Sequence, residues 1–121
     1  MNKNILVTGG GGFIGSTLVR HLLVKGYNVT VIDNCSMGNE GILCFLGYPS
    51  YKFIKGDIRD KDVVQESMKG INHVVHLAAI VGEPACKAFP DDAKTINIDG
   101  TKNVFSAACK NNVSRFIFFY M

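Results

Sequence analysis

The sequence of 121 residues contains no tryptophan, only three prolines, and no apolar run that approaches the about 18 residues needed to span a membrane. The scarcity of proline excludes collagen-like and proline-rich chains. Charged residues make up 19% of the chain and apolar residues 47%, a balance that excludes an intrinsically disordered protein. The first residues lack the long apolar stretch and small-residue cleavage site of a secretory signal. We therefore expect one domain, residues 1–121, that is cytoplasmic and has no membrane partner.

The charges and the cysteines exclude further kinds of site. The net charge is only +3, and the basic residues are scattered, so we expect no nucleic-acid partner. None of the four cysteines stands in a C-x-x-C pair, which argues against a zinc site and a thioredoxin-like redox motif. We expect no bound metal and reduced thiols, as is usual in the cytosol. The four are Cys35, Cys44, Cys86 and Cys109.

Short apolar runs alternate with helical periodicity along the chain. The runs predict strands over residues 4–8, 28–32, 51–55, 73–78 and 115–119. The periodic stretches predict helices over residues 13–25, 61–69 and 91–111. The segments between them, including residues 33–50 and 79–90, are predicted loops, the first with a helical turn at residues 41–45. Strands that are apolar on both faces are typical of a parallel sheet covered by helices, so we predict an α/β fold.

Four consecutive glycines, Gly9 to Gly12, lie between the first predicted strand and the first predicted helix. With Gly15 they give G-x-x-G-x-x-G and also G-x-G-x-x-G. Small residues here permit a positive φ, close approach of a pyrophosphate, and tight packing of the helix on the strand. The helix N-terminus then offers N–H groups and the positive end of its dipole to the phosphates. A G-x-x-x-x-G-K-[ST] phosphate loop is disfavoured because Ser16 stands where that motif has lysine; a glycine turn without a ligand is the other alternative.

A carboxylate follows the second predicted strand at the distance that a dinucleotide site requires. Asp33 lies 21 residues after Gly12, where a carboxylate accepts hydrogen bonds from the adenosine ribose. Its negative charge also repels a 2′-phosphate, and Asn34 and Cys35 follow with no arginine to pair with one. The sequence therefore predicts a dinucleotide ligand, NAD rather than NADP.

Five motifs occur in order along the chain: T-G-G-G-G-F-I-G at residues 8–15, V-I-D-N at 31–34, G-D-I-R-D at 56–60, H-L-A-A at 76–79 and N-I-D-G-T-K-N at 97–103. They resemble those of the extended short-chain dehydrogenase/reductase family, the NAD-dependent nucleotide-sugar epimerases and dehydratases. The resemblance implies a Rossmann-like, doubly wound parallel sheet with strand order 3-2-1-4-5. It also implies that the chain matches the family's N-terminal half and is truncated after strand five.

The resemblance also implies which residues bind NAD. Asp57 and Ile58 would lie beside the adenine, with Asp57 accepting a hydrogen bond from its exocyclic amine. The backbone of residues 77–79 would pass beside the cofactor's ribose and phosphates, and Asn97 would support the loop after strand four. The full implied set is Gly9, Gly12, Phe13, Ile14, Gly15, Asp33, Asn34, Asp57, Ile58, Leu77, Ala78, Ala79 and Asn97.

The catalytic residues of this family have no counterpart here. The resemblance implies hydride transfer between a sugar carbon and NAD, with a tyrosine base in a helical Y-x-x-x-K motif and a serine or threonine after strand five. Tyr48 to Lys52 and Tyr51 to Lys55 have that spacing, but Pro49 and a predicted strand keep both pairs off a helix. We expect no catalytic residue and no turnover, with a nucleotide-sugar substrate only when the C-terminal half is present. The alternative is an NAD-sensing or protein-interaction module that pairs with a separate partner.

Three other features carry expectations. His76 ends the fourth predicted strand near the expected cofactor, and a structural hydrogen-bonding role is favoured over acid–base chemistry. Gly100 is expected to let the long helix pack closely on a neighbour. An unpaired fifth strand would leave Phe116, Ile117, Phe118 and Phe119 partly bare, which predicts self-association through strand five or the uncovered helix face.

Overall fold

The computed structural model describes residues 3–36, 38–79 and 87–118. The strands in these ranges form one parallel sheet in the order β3-β2-β1-β4-β5. They are β1 (Asn4–Thr8), β2 (Asn28–Asp33), β3 (Tyr51–Lys55), β4 (His73–His76) and β5 (Arg115–Phe118). The helices are α1 (Phe13–Val24), α2 (Glu40–Leu43), α3 (Lys61–Ser67), α4 (Pro90–Lys94) and α5 (Thr101–Lys110), with a π-helical turn (Thr95–Gly100) between the last two. The predicted Rossmann-like, doubly wound topology is confirmed.

Strand β1 divides the core between the two faces of the sheet. Ile5 and Val7 belong to the cluster that includes Val19 of α1. Leu6, which points the opposite way, belongs to the cluster that includes Val64 of α3 and residues of α5. Helices therefore cover both faces of the sheet, and in open sheets of this kind ligands bind at the carboxyl ends of the strands.

The predicted helix over residues 91–111 is in fact three segments, α4, the π-helical turn and α5. The turn ends at Gly100, where a Cβ would lie 2.5 Å from Cδ1 of Ile58, so the expected close packing of Gly100 is confirmed. The four-residue spacing of Ile96, Gly100 and Val104 fits a regular α-helix as well as a widened turn. The apolar pattern therefore could not reveal the change of helix type.

Strand β4 ends at His76, two residues earlier than predicted, and the Leu77 N–H that follows still donates to the Thr8 carbonyl of β1 at 3.0 Å. The N–H groups of Leu77 and Ala78 donate to Thr8 Oγ1 at 3.0 and 3.1 Å.

The predicted end of β5 at residue 119 and much of the predicted loop over residues 79–90, with Cys86, lie outside the described residues. In the described ranges no helix is long and apolar enough to cross a membrane.

Candidate dinucleotide-binding site

The ends of β1, β2 and β3 are tied together by main-chain hydrogen bonds at the carboxyl edge of the sheet. The Gly9 N–H donates to the Ile32 carbonyl at 2.9 Å, and the Gly56 N–H donates to the Asp33 carbonyl at 3.1 Å. These bonds bring together the start of the glycine turn, the Asp33 carboxylate at the end of β2, and Asp57, the residue after Gly56. Open α/β sheets bind ligands at this edge, next to the point where the strand order reverses.

Two positions in the glycine turn require glycine for steric reasons. Gly9 has a φ of +71°, and a Cβ there would lie 2.8 Å from the Ala78 nitrogen. A Cβ on Gly15 would lie 2.5 Å from the Gly9 carbonyl oxygen. Backbone atoms cannot move aside as a flexible side chain can, so these two glycines set how closely α1 and β4 approach the turn.

Helix α1 begins with an N-terminus that no side chain caps. Its N-cap is Gly12, and its first turn contains no acidic residue. The first amide to bond back within the helix is that of Ser16, which donates to the Gly12 carbonyl at 2.9 Å. The preceding amides, including those of Phe13 and Ile14, lie at the positive end of the helix dipole. By contrast, Asp60 caps α3 by accepting from two amides of its first turn. The start of α1 is therefore suited to an anionic group.

The carboxylate of Asp33 binds the glycine turn directly. Its Oδ2 accepts a hydrogen bond of 2.9 Å from the Gly11 N–H, and its Oδ1 accepts one of 2.7 Å from the Cys35 N–H. Cys35 itself adopts a φ of +64°, in the left-handed region. Each oxygen retains a second lone pair for another donor. Asn34 lies beside this carboxylate in sequence, and its Oδ1 accepts from the Ser36 N–H at 3.0 Å.

Helix α2 packs on the outer side of the glycine turn. A Cβ on Gly41 would lie 2.6 Å from the Gly11 carbonyl oxygen. The buried Ile42 lies so near Gly11 that a Cβ there would be 2.8 Å from Ile42 Cδ1. No role was predicted for Gly11, Gly41 or Ile42 from the sequence. The run of four glycines was the signal that position 11, between Gly9 and Gly12, also had to be small.

Asp57 is held by an arginine two residues away. Arg59 Nε donates to Asp57 Oδ1 and Oδ2 at 3.0 and 3.1 Å, and Arg59 Nη1 donates to Asp92 Oδ1 at 3.1 Å. The hydrogen bond from Arg59 lowers the pKa of Asp57, against the opposing effect of burial. The ion pair fixes the carboxylate and links the segment after β3 to α4.

The main chain next to Asp57 is fixed from α5. Asn103 Nδ2 donates to the carbonyls of Ile58 and Arg59, both at 3.1 Å. Ile58 is 5% exposed, and its side chain packs against Gly100. Asn103 lies in one of the five motifs, but no role for it was predicted from the sequence. Its partners are 44 and 45 residues away in the chain, so no local pattern indicates the contact.

His76 joins β1, β4 and α5 through hydrogen bonds. Its Nδ1 lies 2.7 Å from Thr8 Oγ1, and its Nε2 lies 2.8 Å from Thr101 Oγ1. Burial lowers the pKa of His76 to about 4, so the ring is neutral near pH 7. The predicted structural role of His76 is confirmed by these bonds.

The remaining predicted residues lie along the same edge. Leu77 and Ala78 are half-buried and Ala79 is exposed, directly after β4. Asn97 lies half-buried in the π-helical turn, and the loop that it was expected to support falls largely outside the described residues. Both Tyr51 and Lys55 lie on β3, so the strand keeps them apart as predicted. The described part of the chain holds no cluster of three His, Cys, Asp or Glu residues suited to a metal ion.

Known proteins are similar to this chain in sequence and in fold. The chain is 32% identical over 122 aligned residues to a UDP-glucose 4-epimerase of Rickettsia rickettsii, an alignment that covers 97% of this chain and 36% of the relative. An epimerase structure from Methanothermobacter thermautotrophicus superposes with a TM-score of 0.89 at 34% identity, covering 97% of this chain and 34% of that one. A UDP-glucose 4-epimerase of Thermus thermophilus in complex with NAD superposes with a TM-score of 0.82 at 32% identity, covering 93% and 36%.

The chain thus spans about a third of the length of these relatives. The sequence profile of the NAD dependent epimerase/dehydratase family matches residues 5–120, nearly the whole chain. The resemblance inferred from the five motifs is confirmed: this chain belongs to the NAD dependent epimerase/dehydratase family, of which it contains the Rossmann-like nucleotide-binding region.

Proposed function

We propose that the chain binds NAD across the carboxyl edge of the sheet. The pyrophosphate lies at the start of α1, against the glycine turn and the amides of Phe13, Ile14 and Gly15. The adenosine ribose bonds to Asp33, with Asn34 beside it. The observation that carries this proposal is the bond from Gly11 to Asp33, because it makes the phosphate turn and the ribose carboxylate one rigid unit. The residues suit the cofactor, and NAD in the related Thermus structure supports the same choice.

The adenine end and the far end of the cofactor use the other predicted residues. Asp57 and the Ile58 backbone lie one strand beyond Asp33 and flank the adenine. The backbone of residues 77–79 borders the other ribose and the phosphates, and Asn97 supports this side. The part of NAD that transfers hydride is the nicotinamide, and the chain's own contribution is to bind, orient and exclude solvent around the remainder.

Calorimetric titration of the 121-residue chain with NAD and with NADP tests this proposal. We expect saturable binding that is tighter for NAD, because the Asp33 carboxylate repels a 2′-phosphate. Asp33→Ala should weaken NAD binding at least about tenfold, since it removes charge-assisted hydrogen bonds. Glu66→Ala, which removes an exposed carboxylate paired with Lys69 on α3, is the matched control and should bind as the wild type does. If the Asp33→Ala variant bound NAD as tightly as the wild type, the assignment of Asp33 to the adenosine ribose would be refuted.

We also propose that these residues bind the dinucleotide without converting a sugar nucleotide. Both Y-x-x-x-K pairs involve β3 or the loop before it, where the tyrosine and lysine cannot share a helix face. The named activity of the relatives makes a sugar nucleotide the substrate class of a complete protein. Incubation of the chain with NAD and UDP-glucose should leave the sugar unchanged, and any epimerised product would disprove this proposal.

The exposed side of β5 supports a further proposal, association with a second copy of the chain. In the described ranges β5 pairs on one side only, with β4. Ile117 and Phe118 are 48% and 49% exposed, and Phe105 on α5 is 54% exposed. Exposed apolar side chains beside an unpaired strand edge favour pairing with another chain. An NAD-sensing module that recruits a different partner through this edge is the alternative.

A cytoplasmic location stays a prediction, supported by the free thiols of Cys35, Cys44 and Cys109.

A further inference from the structure

A buried line of hydrogen bonds crosses the molecule from β1 through β4 to α5. Thr8, His76 and Thr101 form it, with distances of 2.7 and 2.8 Å between their polar atoms. Thr8 is 0% exposed and His76 is 2% exposed. None of the three side chains belongs to the set that we propose to contact NAD. A buried polar network of this kind is costly unless every member is satisfied, so its geometry is informative.

The position of each proton in the network follows from its donors and acceptors. In the described ranges Thr8 Oγ1 has three polar neighbours, the amides of Leu77 and Ala78 and the ring nitrogen Nδ1 of His76. Amides can only donate, so Nδ1 is the one neighbour that can accept the hydroxyl proton of Thr8. The neutral ring then carries its own proton at Nε2 and donates it to Thr101 Oγ1. Burial lowers the pKa of the ring and keeps it neutral.

The amides that Thr8 holds belong to the segment facing the glycine turn. A Cβ on Gly9 would lie 2.8 Å from the Ala78 nitrogen and 3.0 Å from the Leu77 carbonyl carbon. The Thr8 hydroxyl presents its lone pairs to these amides only while its proton points at His76. The Leu77 N–H also donates to the Thr8 carbonyl at 3.0 Å, so the contact near Gly9 that depends on the His76 ring, through the Thr8 hydroxyl, is the one from the Ala78 N–H.

We propose that His76, in its Nε2–H form, is a positioning residue of the cofactor site: it orients the Thr8 hydroxyl, which fixes the main chain of Ala78 against Gly9. The link to cofactor affinity rests on the proposed NAD-binding function. Thr101 selects the ring form by accepting from Nε2. Without that acceptor the ring can protonate at Nδ1 instead, where its N–H would confront the hydroxyl proton of Thr8.

The ring form can be measured without any ligand. The sequence has three histidines, so a variant carrying His21→Gln and His73→Gln leaves His76 as the sole source of imidazole signals. Long-range proton–nitrogen NMR spectra of this variant near pH 7 should show an unprotonated Nδ1 and a protonated Nε2. A protonated Nδ1, or rapid exchange between the two neutral forms, would overturn the proposal.

A pair of substitutions at Thr101 tests the positioning role. Thr101→Val keeps the shape of the side chain and removes the acceptor, whereas Thr101→Ser keeps the hydroxyl. Thr101→Val should abolish the pure Nε2–H signature, speed amide hydrogen exchange of Ala78 about tenfold, and weaken NAD binding about fivefold. Thr101→Ser should retain the signature and stay within about twofold of the wild type in both measurements.

The two proposals fail in different ways. If the wild type does not bind NAD, the proposed function fails, and the ring form and Ala78 exchange still decide the positioning role. If the wild type binds NAD but Thr101→Val leaves the ring form and Ala78 exchange unchanged, the positioning role alone is refuted. A Thr101→Val variant that does not fold leaves the ring form in the double histidine variant as the deciding measurement.

Discussion

Gly11 and Asp33 are joined by a hydrogen bond of 2.9 Å from the Gly11 N–H to Asp33 Oδ2. The same glycine offers its carbonyl to a close contact with Gly41 of α2. The glycine turn, the carboxylate at the end of β2 and helix α2 are therefore packed as one unit. A change at Gly11 should reach both the predicted phosphate and the predicted ribose contacts.

Gly11→Ala is the direct test of this unit. The new Cβ would lie 2.8 Å from Ile42 Cδ1 and 3.0 Å from Asp33 Oδ2, so the buried Ile42 side chain or the carboxylate must shift. We expect NAD affinity to fall about tenfold and the free energy of unfolding to fall by about 1–2 kcal/mol, measured by calorimetry and urea denaturation. Gly47→Ala, at a position with nothing within 4 Å, is the control and should match the wild type. Unchanged affinity of Gly11→Ala would show that the unit does not shape the site.

The parts of this site that the sequence predicted are those encoded by neighbouring residues. The glycine turn and the carboxylate at the end of β2 follow from local pattern, and the strand order was implied by the family resemblance. The bonds from Asn103 to the main chain next to Asp57, and from His76 to Thr101, join residues at least 25 positions apart. No periodicity records such a pairing, and only the packing of α5 against the sheet creates it.

The ion pair of Arg59 with Asp57 should matter more for the ligand than for stability. Both side chains are about a third exposed, so Arg59→Lys should lower the free energy of unfolding by only about 0.5 kcal/mol. Lysine cannot reproduce the planar two-pronged contact, so Asp57 should lose its fixed orientation and NAD affinity should fall about threefold.

Thermal unfolding and NAD titration of the Arg59→Lys variant measure the two effects separately. Lys69→Ala breaks an exposed ion pair with Glu66 on α3 and serves as the control for affinity. A large loss of stability with unchanged NAD affinity would contradict the role assigned to Arg59.

The burial of His76 predicts how stability depends on pH. The ordinary pKa of 6.5 applies to the unfolded chain, whereas the folded chain holds the ring neutral down to a pKa of about 4. The unfolded chain therefore binds this proton first, and the stability from neutral His76 is complete above pH 6.5. It is lost as the pH falls toward 4, with a slope of up to about 1.4 kcal/mol per pH unit. Urea denaturation between about pH 7 and pH 5 measures this slope.

Two variants test whether His76 is the group that produces this pH dependence of the free energy of unfolding. His76→Gln should flatten it, because the titrating group is gone, whereas His73→Gln on the same strand should retain it. The lowered pKa of Asp57 contributes in a different window, since that stability is lost only as the pH falls below the ordinary range of a carboxyl group. An undiminished slope in His76→Gln would show that another group is responsible.

Association through β5 depends on the side chains that face away from the core. Phe118 stacks on His76 with ring centroids 5.6 Å apart, so replacing it would disturb the hydrogen-bond network as well as the surface. Ile117 points to the other face of the sheet and is 48% exposed, which makes it the cleaner position. Ile117→Lys should shift the chain toward monomer in sedimentation velocity, because a charge on the edge opposes strand pairing. Val24→Lys places the same charge at the end of α1, where Val24 is 75% exposed, and should leave the distribution unchanged. A wild-type chain that sediments as a monomer at high concentration would exclude association, and the exposed edge would then be left to a different partner.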